Sequence, residues 1–298
     1  MKLIRWILGL FVLGYGLGCQ AASPPPPTNV AENPNYTPIL FVHGLGLNAS
    51  TWNNAIAHFQ AQGYPSSYLL ALDIKPNDEI NITAAEKFIA PAIESLLQQA
   101  AETARQAGID PPQKVDIIAH SMGAVSTRWY IAQMRPERVR TWIAVAGANY
   151  GTNALCPYPG PANQEMCPAF ATSQRDSFVQ IALNGTPSAP TDPSPYSIGT
   201  NPPNLPTIPP DRERCIAYFT VRIDPDRWIK PEDSAQLPGS GMPNLQLPRH
   251  FPAQETSPGN YLFQKPVDHD PLPQDRDFLQ LASYLIEQVD QNLDTLCP

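Results

Sequence analysis

Residues 115–134, VDIIAHSMGAVSTRWYIAQM, constrain the fold of this chain more than any other stretch. Apolar residues fill most of Val115–Ala119, the pattern of a strand buried on both faces, and a run with helical spacing follows. Between them stand His120, Ser121 and a Met–Gly pair. A strand that turns at once into a helix leaves room only for small residues two before and two after the turning residue; here these are Ala119 and Gly123. Such a turn lifts the Ser121 side chain above the end of a sheet.

The rest of the chain alternates in the same way. TPILFV is a short strand ending at the turn HGLG, STWNNAIAHFQAQG a helix with Gly63 past its end, and SSYLLALDI a second strand. A long helix over TAAEKFIAPAIESLLQQAAETARQAG is expected to open on a Thr83-x-x-Glu86 capping box, kink at Pro91 and stop at Gly108. KVDIIA is the third strand, VRTWIAVAG the fourth, RCIAYFTVR the fifth and NYLFQKPV the sixth. Phe278, Leu281, Ala282, Leu285 and Val289 form one face of a last helix. The fold class is therefore α/β: a mostly parallel sheet of about six strands with helices on both faces.

Proline breaks this pattern. The chain has 36 in 298 residues, and nine of them fall within residues 186–213, which are expected to be an irregular insertion; a second lies at about 153–170. Whether these insertions form a lid is left open. The start of the chain has Lys2 and Arg5 and then an apolar run, Trp6–Gly18, too short for the ~20 residues that cross a bilayer. Residues 1–18 read as an export signal peptide. GLGC ending at Cys19 resembles a lipoprotein box, which would attach the mature chain to a membrane through an acylated Cys19; ordinary cleavage near CQAA is the other reading. Residues 19–36 form a Pro-rich tether and 37–298 one domain. The expected location is outside the cytoplasm, as a surface lipoprotein or a periplasmic or secreted protein.

Without Cys19, four cysteines remain: Cys156, Cys167, Cys215 and Cys297. Three disulfide pairings are open to them. Cys156–Cys167 would close a short loop, and Cys215–Cys297 would tie a late strand to the C-terminus. The formal charge of −8 offers no footprint for nucleic acid. No cysteine pair has metal-ligand spacing, and a monomer is expected.

A serine hydroxyl is a weak nucleophile unless a base lies beside it. At the start of a helix it also meets unsatisfied N–H groups and a positive dipole end, suited to a developing oxyanion. The N–H of Met122 is one such donor, and that of Leu45, after the HG turn, the second.

PILFVHGLG, VDIIAHSMGAVSTRWYI, WIAVAGANYGT, FVQIALNG, DRWIKPEDSAQLPG and VDHDPLPQDRDFLQLASYLI, taken in order, resemble the class-two bacterial lipases, a branch of the α/β-hydrolases. Departures lie at 153–170, 186–213 and 248–259. The resemblance implies hydrolysis of lipid or small carboxylic esters, no redox cofactor and no required metal. It also implies the chain order serine, acid, histidine. The family pattern sets the acid just before a hydrophobic pair and a proline, which favours Asp226 over Asp224. Of the five histidines, His43 supports the HG turn, His120 points away from its neighbour Ser121, and His58 lies on the surface of the first helix. His269, between the last strand and last helix, is favoured as the base over His250, which is flanked by prolines. An acyltransferase on the same fold and a non-catalytic surface binding protein are the alternative readings.

Overall fold

The computed structural model describes residues 31–169, 177–201 and 203–297. The expected signal segment and the tether up to residue 30 lie outside these residues. Seven strands form the central sheet: β1 (Ile39–Val42), β2 (Leu69–Leu72), β3 (Val115–His120), β4 (Val139–Val145), β5 (Ala217–Arg222), β6 (Ala253–Ser257) and β7 (Asn260–Phe263). Their spatial order is β2-β1-β3-β4-β5-β7-β6, and every neighbouring pair is parallel except β6–β7.

Successive side chains of a strand point to opposite faces, and this alternation builds two cores. Leu40, Val42, Ile117, Ala119, Trp142 and Ala144 lie on one face, with residues of α2 (Ala90–Ala107) and α3 (Met122–Gln133). Ile39, Phe41, Ile118, Ile143, Val145 and Phe219 lie on the other, with α1 (Asn53–Ala61) and α5 (Arg276–Leu296). The expected α5 face, from Phe278 to Val289, is buried there, and Asp275 caps the helix by accepting from the N–H groups of Asp277 and Phe278.

The sixfold strand expectation falls short by one. β6 reads AQETS, with Gln254, Glu255 and Thr256 exposed, so no apolar alternation marks it; it is a polar edge strand closed onto β7. The capping box at Thr83 does not form either. The helix begins at Asn81, Thr83 already has helical backbone angles, and its side chain caps nothing. Instead a distant carboxylate serves this end: Glu165 Oε2 accepts from the Asn81 backbone N–H at 2.6 Å and from its Nδ2 at 2.9 Å. Ahead of Pro91 the helix widens into a π-turn over Ala84–Ile89, where the Ala90 N–H bonds the Ala85 carbonyl. Gly108 ends α2 in the left-handed region, as expected.

α3 is buried from Met122 to Ile131, so it is a central helix rather than an amphipathic one. Of its buried polar side chains, Ser126, Thr127 and Arg128 are partnered internally, whereas the Tyr130 hydroxyl has no hydrogen-bond partner among the described residues. Thr127 Oγ1 donates to the Gly123 carbonyl and accepts from the Trp142 indole at 2.9 Å. Arg128 donates to the carbonyls of Asn149 and Pro193, both at 2.8 Å, and to Asn184 Oδ1 at 2.9 Å. Burial pulls its guanidinium down to about 10. These bonds, with Tyr218 Oη donating to the Pro195 carbonyl, fasten the 186–213 insertion to the sheet. The insertion is irregular as expected, save for a two-residue hairpin of Gly185–Thr186 with Ala189–Pro190 at its start. α4 (Phe178–Asn184) precedes it. Disulfides join Cys156 to Cys167 and Cys215 to Cys297.

Candidate active site

The carboxyl ends of β1 and β3 lie side by side, Val42 opposite Ala119, so the HG turn and the Ser121 bend meet. Ser121 has φ 53° and ψ −121°, a conformation that costs a non-glycine residue about 1–3 kcal/mol. The surroundings hold it there. Its N–H donates to the Val145 carbonyl at 2.9 Å, and its own carbonyl accepts from Ala124 at 3.1 Å. A Cβ on Gly123 would stand 2.6 Å from the His43 carbonyl oxygen and 2.8 Å from that of Val42, so only glycine lets α3 start this close to β1. Met122 opens α3 directly after Ser121, in the turn whose N–H groups have no helical acceptor.

Ser121 is nearly buried and opens into a cleft of 220 Å³. Leu45, Leu47, Leu155, Trp228 and His269 line the same cleft. A larger cavity of 640 Å³, walled by Tyr150, Leu237 and Pro238 among others, has none of these residues on its walls.

Asp226 and His269, both 2% exposed, meet below this cleft: His269 Nδ1 is 2.8 Å from Asp226 Oδ2. The second carboxylate oxygen, Oδ1, accepts from the N–H groups of Trp228 at 2.7 Å and Ile229 at 3.1 Å. The acid is thus held by its own loop, and its free oxygen orients the imidazole with Nδ1 as donor and Nε2 left for the cleft. Asp224 is exposed, 3.7 Å from Arg222 Nη1, and does not reach the histidine.

The other histidines are arranged differently. His250 is exposed, its ring 4.3 Å from that of Phe251. His43 donates from Nδ1 to the Gly44 carbonyl at 2.9 Å and accepts at Nε2 from the Ile74 N–H at 3.0 Å, so it pins the turn as a neutral ring. Burial lowers its pKa. His58 is not a surface residue as expected: α5 packs over it, and its Nε2 lies 2.8 Å from Ser283 Oγ. His120 is fully buried, and its Nε2 donates to the His269 carbonyl at 3.1 Å. Desolvation holds it well below the usual histidine range, so a neutral ring, not a cation, lies 4.6 Å from His269.

Three contributors escaped the sequence reading. Gly44 was legible in principle from the HG pair, because a Cβ there would meet Ser121 Cβ at 2.7 Å. Thr152 and Leu155 carry no local signal. Thr152 Oγ1 donates to the Trp228 carbonyl at 2.6 Å and accepts from the Lys230 N–H at 2.9 Å, bridging the loop that carries Asp226. A buried nucleophile candidate, a carboxylate-oriented imidazole and a helix N-terminus on one cleft are the parts of acyl-transfer chemistry.

Residues 36–177 match the family model of class 2 lipases. Over 102 residues the chain is 33% identical to a triacylglycerol lipase of Pseudomonas fragi, a stretch that spans 33% of each protein. Among solved structures, lipase B of Aspergillus fumigatus superposes with a TM-score of 0.53 at 13% identity, covering 88% of this chain and 56% of that one. The mature form of lipase BlEst2 of Bacillus licheniformis gives 0.50 at 15% identity, with 86% and 94% covered. At these identities the two structures speak for the α/β-hydrolase fold alone. By sequence, the chain is similar to the class 2 lipase family over residues 36–177, just under half of its length.

Proposed function

We propose that this protein is an exported hydrolase of carboxylic esters that works through an acyl-enzyme on Ser121. The observation that carries the reading is the 2.8 Å contact between His269 Nδ1 and Asp226 Oδ2, buried on the cleft that Ser121 shares. His269 Nε2 takes the Ser121 proton as Oγ attacks the ester carbonyl. The Met122 and Leu45 N–H groups receive the oxyanion, a type of contact worth about 10²- to 10³-fold in turnover per donor. The imidazolium then protonates the leaving alcohol, and Asp226 stabilises its charge. Water, deprotonated by the same imidazole, releases the acid and restores Ser121.

The family match over residues 36–177 and the triacylglycerol lipase of Pseudomonas fragi support ester substrates. Two disulfides support folding in an oxidising compartment, and among the described residues no helix is long and apolar enough to cross a membrane. Retention at a membrane would rest on acylated Cys19, outside the described residues.

The test is a fluorophosphonate probe together with p-nitrophenyl butyrate. Wild type takes the label and hydrolyses the ester, and Ser121→Ala does neither while its circular dichroism is unchanged. Labelling and turnover that survive in Ser121→Ala would sink the proposal.

A further inference from the structure

We infer that the cleft is built for short acyl groups and that Leu155, held by the Cys156–Cys167 loop, sets the limit; this deepens the ester-hydrolase reading and rests on it. The cleft has a volume of 220 Å³. The reacting ester group takes part of that space, which leaves room for a short acyl chain. Pockets that engulf larger ligands run to ~300–1,000 Å³.

The walls are apolar and fastened. Leu155 and Trp228 line the cleft together, and Thr152 bridges their two loops through its bonds to the Trp228 carbonyl and Lys230 N–H. The Asn153 N–H adds a bond to the Lys230 carbonyl at 2.8 Å. Behind Leu155, the Thr152 N–H donates to the Met166 carbonyl at 2.6 Å, and the disulfide joins Cys156 to Cys167. Gly151, at φ +79°, lies so close to the next stretch that a Cβ would be 2.6 Å from the Pro168 nitrogen. Such a wall is a fixed rim rather than a hinged cover. Among the described residues, none of 186–213 lines the cleft, and that insertion is tied to Arg128 and Tyr218 instead. A chain longer than the cleft therefore gains no further burial from it.

The experiment measures kcat/KM of the full chain on p-nitrophenyl acetate, butyrate, octanoate and palmitate, for wild type, Leu155→Ala and Leu155→Trp, with thermal melts of each. Leu155 is only half-buried, so both variants are expected to fold. Wild type is expected to peak at butyrate and to lose roughly tenfold or more by palmitate, the scale at which methylenes are discriminated. Leu155→Ala moves the peak toward octanoate, and Leu155→Trp moves it toward acetate. A wild-type peak at palmitate, or folded variants with the wild-type profile, overturns the inference while leaving ester hydrolysis standing. No turnover on any ester, with no fluorophosphonate label, overturns the functional reading and this inference with it.

Discussion

Gly44 lies against Ser121 so closely that a Cβ on the glycine would be 2.7 Å from the serine Cβ. The HG turn is therefore a stop for the nucleophile bend, with Gly123 serving the same purpose from the helix side. Neither contact involves a flexible side-chain end, so a methyl group cannot be accommodated without moving backbone or the serine itself.

Gly44→Ala and Gly123→Ala are each expected to cost about 1–3 kcal/mol of stability, the usual range for overpacking. Displacement of the serine should lower kcat/KM on p-nitrophenyl butyrate by roughly 10²-fold, as small misplacements of reacting groups do. Urea titration and initial rates on the two purified variants check both numbers. Full activity in either variant would show that the bend does not depend on these contacts.

Asp226→Asn is expected to lower kcat by about 10⁴-fold, because the amide no longer favours the imidazole tautomer with Nδ1 as donor. Asp224→Asn and His250→Ala, both exposed substitutions outside the cleft, should stay near wild type. His269→Ala should lose at least as much as Asp226→Asn. The discriminating result is the ratio between the two aspartate variants; equal losses would contradict the assignment of the acid.

Stability should fall on acidification below neutral pH. His120, His43 and His58 all have pKa values lowered by burial, so the folded state binds fewer protons than the unfolded chain. Their stabilisation is complete above the unfolded value near 6.5 and is lost as pH drops below it. Glu165, whose carboxyl burial pushes up, acts in the opposite sense as pH rises through its range. Melting temperatures from pH 7.5 to 5 should decline, and His120→Asn should flatten the decline. A melting temperature that rises toward pH 5 would contradict this account of the buried rings.

Replacing Cys215 and Cys297 together with serine is expected to remove about 2–4 kcal/mol, since that bond closes a loop with a sequence separation of 82. The Cys156–Cys167 bond spans only 11 residues and should matter less to the unfolding midpoint. Denaturant midpoints of the two double variants, with the slope of each transition as a control, give the order directly.

Much of the architecture could be read from residue order. Short, nearly continuous apolar runs bounded by turns marked six of seven strands, and the strand, small-residue turn and helix around Ser121 needed no tertiary information, because backbone geometry and local packing dictate them. The same local rules failed where a partner came from far away. The helix at Asn81 is capped by Glu165, 84 residues on, so its own Thr83–Glu86 pair is idle. β6 has no apolar face to announce it because it is an edge strand exposed to water.

From sequence alone, then, came the alternation of strands and helices, the bend at Ser121 and the types of side chain available to act there. Tertiary structure decided which of them meet. Asp226 and His269 are 43 residues apart, and only the parallel order β4-β5-β7 brings the loops after β5 and β7 together. The size of the cleft was decided there too: Leu155 reaches it through a disulfide, a threonine bridge and a bare glycine, none of which leaves a periodic trace along the chain. Hydrophobic periodicity records what is buried. It does not record which surfaces touch.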